Sequence, residues 1–132
     1  MKKLFLILFL GITALYADHF YDGMMAYKTG NFTKAREDFD IAIKKENSIQ
    51  GYFYLGKIYL YGEGVEANPS LAIPYLEQAV MKGNLKAKCY LAEAYLKSHI
   101  KQNEAQTLLN QGAKESSVCR DIAATYNITI NS

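Results

Sequence analysis

The sequence predicts an all-α fold, an α-α superhelix of about three helical hairpins with a C-terminal capping helix. One observation is an internal repeat, in which four small or apolar residues recur 36 residues later and a similar set follows 31 residues after that. Another is the apolar spacing of three and four residues within each unit, which indicates helices rather than strands. Because one hairpin cannot bury its apolar stripe alone, the units are expected to stack. The three sets are Gly51, Leu55, Gly56 and Tyr59; Ala87, Leu91, Ala92 and Tyr95; and Val118, Ile122, Ala123 and Tyr126.

The first four helices are predicted from spacing and from residues that interrupt or start a helix. Helices near 20–29 and 32–45 carry small and aromatic residues at helical spacing, and a helix over 49–61 contains the first repeated set. Two glycines in the sequence YGEGV end this third helix. Asn68 and Pro69 then start a fourth helix over 69–82, as a cap and a first-turn proline. Each pair of helices therefore forms a hairpin.

The last three helices follow from the recurrence of the same sets. We expect them near 85–98, 102–113 and 116–127. Pro74 does not fit this pattern, because its missing N–H should loosen the first turn of the fourth helix.

Small residues are predicted to bring the two helices of each hairpin close together. Gly23, Gly56 and Ala92 lie in the middle of first helices, and we expect them to face small residues on the second helices. The expected partners are Ala35, Ala72 and Ala105.

Composition describes a single folded domain. The chain has 132 residues, of which 50% are hydrophobic and 21% charged. These values disfavour a disordered chain, a collagen-like repeat and a disulfide-dense scaffold.

Residues 1–17, MKKLFLILFLGITALYA, have the pattern of a secretory signal peptide. Two lysines precede an apolar run of 12 residues, which is shorter than the roughly 20 residues that a membrane-spanning helix needs. Cleavage after Ala14 or after Ala17 is compatible with the small residues there. We expect an exported protein, periplasmic or secreted, with its repeat domain in residues 18–132 and no stable membrane insertion after cleavage.

The net charge of the mature chain argues against two classes of partner, nucleic acid and anionic lipid. Of the 15 basic residues, Lys2 and Lys3 lie in the signal peptide, so the mature chain has 13 basic and 13 acidic residues. A neutral chain predicts neither nucleic-acid binding nor attraction to anionic lipid.

The repeat residues resemble a known family. Residues 51–84, GYFYLGKIYLYGEGVEANPSLAIPYLEQAVMKGN, resemble the Sel1-like repeat, a helical hairpin related to tetratricopeptide repeats, with a G-x-G-V loop and an A-x-x-Y-L-x-x-A second helix. The preceding unit is closer to an ordinary tetratricopeptide repeat, and the following unit has SHIKQN in place of the glycine loop. The resemblance implies a stack of hairpins that binds another protein or a cell-envelope component.

In such stacks the first helices line the concave face, and their outward positions predict a peptide-binding groove that is aromatic at one end and charged at the other. Alternatively, several of the aromatic side chains pack between helices and the rest form a solvated face. The candidate groove residues are Phe20, Met24, Tyr27, Phe53, Lys57, Tyr61, Cys89, Glu93, Lys97 and Arg120.

Cys89 and Cys119 occupy nearly equivalent positions on successive first helices, which are close enough in a stack for a disulfide. Export would place them in an oxidising compartment. Because their register differs by one residue, two buried thiols remain the alternative.

A hydrolase is the rival function. Secreted, cysteine-rich members of the resembled family have been linked to penicillin binding and β-lactam hydrolysis, but their regular bridge pattern is missing here. The strings S-x-x-K at Ser98–Lys101 and K-T-G at Lys28–Gly30 occur in the wrong order and without a strand for this chemistry. We assign no catalytic residue, metal or cofactor.

A third hypothesis is an assembly factor that oligomerises through its ends. The last helix carries its apolar residues on one stripe and its polar residues elsewhere, which is typical of a capping helix. The sequence therefore predicts a monomer.

Overall fold

The computed structural model describes residues 18–131, and the predicted signal peptide lies outside this range. Within it the chain forms seven α-helices and no strand, so the all-α prediction is confirmed. The helices are α1 (His19–Lys28), α2 (Phe32–Glu46), α3 (Ile49–Tyr61), α4 (Pro69–Met81), α5 (Leu85–Lys97), α6 (Gln102–Gly112) and α7 (Ser117–Thr125).

A residue with a capping side chain precedes nearly every described helix. A side-chain oxygen accepts a hydrogen bond from a backbone N–H of the first turn, and this satisfies one of the donors that a helix start leaves free. Only α6 lacks such a cap among the described helices, because the side chain of its N-cap residue, Lys101, has no hydrogen-bond acceptor. The capping residues are Asp18, Asn31, Ser48, Asn68, Asn84 and Ser116.

The helices pair as hairpins α1–α2, α3–α4 and α5–α6, and α7 packs on both α5 and α6. Neighbouring hairpins stack through the second helix of one and the first helix of the next, which gives a helical repeat solenoid. First helices also contact each other, α3 with α5 and α5 with α7. Second helices make no comparably extensive contact in the part described, so the first helices lie on the inner side of the stack.

The core consists of two clusters of buried side chains that follow the stack. One is centred on Phe39, Leu55 and Ile58 in the first two hairpins. The other extends from Phe53 to Ala123 and joins α3 through α7. Each hairpin thus contributes one face to a core that is shared with its neighbours.

Two local expectations differ from the structure. The helix α4 runs without a break through Pro74, whose ring is exposed to solvent. A Cβ atom built on Gly56 would lie 2.5 Å from the side chain of Leu76, one turn beyond the expected Ala72, and one on Gly23 would lie 2.7 Å from the ring of Phe39. These two glycines therefore face large side chains that fill the space above them.

None of the helices in residues 18–131 combines the length and the apolar character that crossing a membrane requires.

Candidate functional site

Tyrosines from four helices or their ends form the most distinctive surface of the stack, which we call the tyrosine face. They lie on the inner, first-helix side, and each is half-buried except Tyr61, which is 40% exposed. Rigid rings with a polar end are typical of protein-binding surfaces. The tyrosine face is defined by Tyr27, Tyr54, Tyr61, Tyr90 and Tyr126.

Lys57 lies at the centre of the tyrosine face. Its Nζ is 5.3 Å from the ring centroid of Tyr90 and 5.9 Å from those of Tyr27 and Tyr54. Attraction between an ammonium and aromatic faces holds it there. No carboxylate forms an ion pair with Lys57 in the described residues. Its charge is therefore available to an acceptor group on a ligand.

Glu93 is buried beneath the tyrosine face, where it contacts Tyr61 and Lys97. It is only 8% exposed, and its carboxylate accepts a hydrogen bond of 2.5 Å from the hydroxyl of Tyr61. Lys97 approaches the same carboxylate at 3.8 Å and lies 5.3 Å from the centroid of the Tyr61 ring. Glu93 thus fixes the orientation of Tyr61 and Lys97 rather than offering a free charge.

Tyr27 is anchored in the same way by the next repeat. Its hydroxyl donates to both carboxylate oxygens of Glu63, at 2.8 and 2.9 Å. Glu63 belongs to the α3–α4 loop, so this bond connects two units. Hydroxyl-to-carboxylate bonds between repeats fix the positions of the rings and limit the entropy lost on binding.

The environment of these rings perturbs their ionisation. Burial raises the pKa of Tyr27 and Tyr61 well above the ordinary value, and the carboxylates of Glu63 and Glu93 raise it further. Burial also raises the pKa of Tyr90 and Tyr126, with a smaller contribution from Glu93. All four hydroxyls stay protonated at neutral pH, and those of Tyr27 and Tyr61 donate their protons to Glu63 and Glu93.

The predicted groove residues separate into two groups. Tyr27, Lys57, Tyr61 and Lys97 belong to the tyrosine face or contact it. Two further residues lie beneath the face: Glu93 accepts from the Tyr61 hydroxyl, and the buried Phe53 ring packs against those of Tyr54 and Tyr90. Of the rest, Cys89 is buried, Phe20 and Met24 pack against the core around Phe39, and Arg120 donates a hydrogen bond to the Ala113 carbonyl at the end of α6.

Three members of the face were missed by the sequence analysis. Tyr54 and Tyr90 are 36 residues apart and therefore occupy equivalent repeat positions, a signal that the sequence did contain. Tyr126 ends α7. Periodicity selected Phe53 because it lies four residues before Lys57 and eight before Tyr61, but Phe53 is buried whereas Tyr54 is half-buried.

The structure pairs Cys89 with Cys119 as a disulfide, with their Cα atoms 4.8 Å apart. This was one of the two predicted alternatives. A Cβ atom on Gly112 would overlap the sulfur of Cys119, so α6 approaches the bridge closely.

The residues of the S-x-x-K and K-T-G sequences contact different neighbours. The Ser98 hydroxyl lies 3.4 Å from the hydroxyl of Ser70, whereas Lys101 faces Glu77 at 3.5 Å and the ring of Tyr95. The Thr29 hydroxyl donates to the backbone of α1. Residues 18–131 contain no group of three or more His, Cys, Asp or Glu residues suited to a metal ion.

Comparison with known proteins identifies one repeat. Residues 49–84, which comprise α3, its loop and α4, match the Sel1 repeat. Sel1 repeats generally mediate protein–protein interaction. No curated protein and no solved structure matches the chain significantly.

Proposed function

We propose that this protein is an exported repeat module that binds an extended segment of a partner protein on its tyrosine face. The observation that carries the proposal is the row of tyrosines around Lys57, an ammonium with no carboxylate partner in the described residues. Aromatic anchors with few, well-placed polar groups suit an extended peptide. The general role of Sel1 repeats supports a protein partner.

The proposed binding has three parts. The exposed edges of Tyr61 and Tyr90 cover apolar side chains of the peptide, while the Tyr90 hydroxyl donates a hydrogen bond to one of its carbonyl groups. The Tyr61 hydroxyl already donates its proton to Glu93 and can only accept a hydrogen bond from the peptide. Lys57 binds an acceptor group, best a carboxylate, because a charge-assisted hydrogen bond is the stronger one. The bonds from Tyr27 to Glu63 and from Tyr61 to Glu93 keep the rings in place before the peptide arrives.

The partner can be identified by photocrosslinking in intact cells. A photoreactive amino acid at position 90 is expected to crosslink a discrete partner, which mass spectrometry identifies. The same amino acid at Leu71, which is 41% exposed on a second helix, is the matched control. The proposal is wrong if both positions capture the same proteins.

The affinity of the identified segment then tests the residues. Tyr61→Ala and Lys57→Met are expected to weaken its binding tenfold or more, since central anchors of an interface each contribute about 2 kcal/mol or more. Leu71→Ala should leave the dissociation constant unchanged. Phe53 is unsuitable for this test, because it is only 6% exposed and its truncation would damage the core.

Export has its own test. Expression of the full chain in a bacterial host with a periplasm should give a periplasmic product that has lost its first 14 or 17 residues, which intact-mass measurement distinguishes. An uncleaved product in the cytoplasm would contradict this part of the proposal.

A further inference from the structure

The balanced charge of the mature chain hides a strong local imbalance at the α4–α5 turn. Residues 78–92 contain Lys82, Lys86 and Lys88 and no acidic residue. None of the three lysines forms an ion pair within the part of the chain that the structure describes. Three uncompensated ammonium groups therefore surround one short turn.

Large apolar side chains project from the same turn. Met81 is 77% exposed and Leu85 is 57% exposed, on either side of the three residues that connect α4 to α5. Ile49, 39% exposed, begins α3 and lines one shallow hollow together with Lys82 and Leu85. The apolar and basic groups thus share one edge of the stack, which we call the basic edge.

Acidic residues on this edge lie at its ends. Glu46 ends α2 and accepts a hydrogen bond from the backbone N–H of His19, and Glu115 lies in the α6–α7 connection. The positive charge that would attract an anion is therefore concentrated at the α4–α5 turn.

The arrangement decides which partner fits. Apolar side chains that project from a turn, with lysines beside them, can enter the boundary between lipid headgroups and acyl chains while the ammonium groups stay at the phosphates. Charge complementarity then requires the headgroups to be anionic. Isolated exposed apolar residues are ordinary, but their clustering with three unpaired lysines is not explained by the fold.

We infer that the basic edge binds the surface of a membrane that contains anionic phospholipid, as a peripheral contact centred on Met81, Leu85 and the flanking lysines. This surface is distinct from the tyrosine face, so a bound membrane leaves Lys57 and Tyr61 free for a protein partner. The expectation from net charge alone, that anionic lipid would not attract the chain, overlooked this segregation of charge.

Cosedimentation of residues 18–132 with lipid vesicles tests the inference. The protein should bind vesicles of phosphatidylglycerol and phosphatidylcholine, bind phosphatidylcholine alone much more weakly, and dissociate as salt screens the attraction. Lys82→Gln combined with Lys86→Gln should lower the partition coefficient roughly tenfold or more at low salt. Absence of binding to the anionic vesicles, or equal binding to both kinds, would overturn the inference.

Apolar variants test the inserted side chains. Met81→Ser combined with Leu85→Ser should weaken vesicle binding several-fold. Tyr21→Ser combined with Leu71→Ser, at exposed apolar residues elsewhere, is the matched control and should bind like the wild type. Equal loss in both pairs would show nonspecific adsorption and overturn the inference. Tyr61→Ala should not affect vesicle binding, so failure here and failure of the tyrosine face as a peptide site are separable.

Discussion

Glu93 shows how burial changes the role of a charged side chain. Helical periodicity made it a candidate groove residue on α5, but periodicity gives the direction of a side chain and not its depth. Tyr61 and Lys97 cover the carboxylate, which serves as an acceptor for the Tyr61 hydroxyl. The exposed chemistry of the tyrosine face therefore comes from hydroxyls and ammonium groups.

The Tyr61–Glu93 pair predicts a loss of stability at alkaline pH. In the unfolded chain Tyr61 ionises near its ordinary pKa of 10.0, whereas burial and Glu93 raise its pKa in the folded protein. Above pH 10 the unfolded state releases a proton that the folded state keeps, so the free energy of unfolding falls as pH rises. Urea unfolding should show a shallower fall for Tyr61→Phe, by at most about 1.4 kcal/mol per pH unit, a limit reduced by solvent screening of this partly exposed pair.

A control separates Tyr61 from the other titrating groups. Tyr21→Phe changes a tyrosine that is 60% exposed, and it should leave the wild-type pH dependence unchanged. Identical slopes for wild type and Tyr61→Phe between pH 9 and 12 would show that the Tyr61–Glu93 bond does not hold the proton.

His99 has a backbone conformation that favours glycine, so a glycine at this position is expected to stabilise the fold. Its φ of 56° is left-handed, the conformation that Gly62 and Gly64 supply in the preceding hairpin, at 73° and 68°. A side chain costs about 1–2 kcal/mol there, and the greater freedom of glycine in the unfolded chain offsets part of the gain. His99→Gly should therefore raise the free energy of unfolding by roughly 0.5–1 kcal/mol.

Ser98, the residue before His99, should respond to substitution by glycine in the opposite way. Ser98 has a φ of −87°, which any residue adopts, so Ser98→Gly should lower the free energy of unfolding. If chemical denaturation showed both glycine variants less stable than wild type, strain at His99 would not be the reason.

At the scale of elements, the helices were predictable because their signals are local. Each helix boundary in the structure lies within two residues of its prediction, since caps such as Ser48 and Asn68 and breaks such as Gly62 act over one turn. Contacts between helices were less predictable. Gly56 meets Leu76 instead of Ala72, because a helical side chain leans toward the N-terminus and covers the preceding turn.

The contact between Gly56 and Leu76 predicts the effect of adding a methyl group at position 56. In Gly56→Ala the new Cβ would lie 2.5 Å from Leu76, a fully buried side chain with no room to withdraw. Overpacking of this kind costs about 1–3 kcal/mol, which exceeds the roughly 1 kcal/mol that alanine gains as a better helix former. We expect a net loss of stability in thermal or urea unfolding.

A double-mutant cycle identifies the cause of that loss. In a Leu76→Ala background the space opposite position 56 is empty, so Gly56→Ala should there be neutral or stabilising. An unchanged penalty in this background would locate the strain elsewhere.

At the scale of the whole molecule, the candidate surfaces could be predicted only in part. The sequence identified Lys57 and Tyr61 but not their neighbours Tyr54 and Tyr90, since ring-to-ring contacts between repeats depend on how the hairpins stack. The basic edge was hidden for a related reason. Charges that balance along the chain separate in space when the α4–α5 turn is placed at one edge of the stack.

The disulfide predicts that the end of the stack depends on redox state. In a solenoid each element is stabilised by its neighbours, and α7 has only α5 and α6 to pack on among the described helices. The bridge from Cys89 to Cys119 closes a segment with a sequence separation of 30, which the chain-entropy description values at about 3–4 kcal/mol. Reductant should therefore lower the urea midpoint of the wild type and increase hydrogen exchange first in α7. The variant with both cysteines changed to alanine should unfold at one midpoint with or without reductant, whereas an unchanged midpoint for the wild type would show that the bridge does not hold α7 in place.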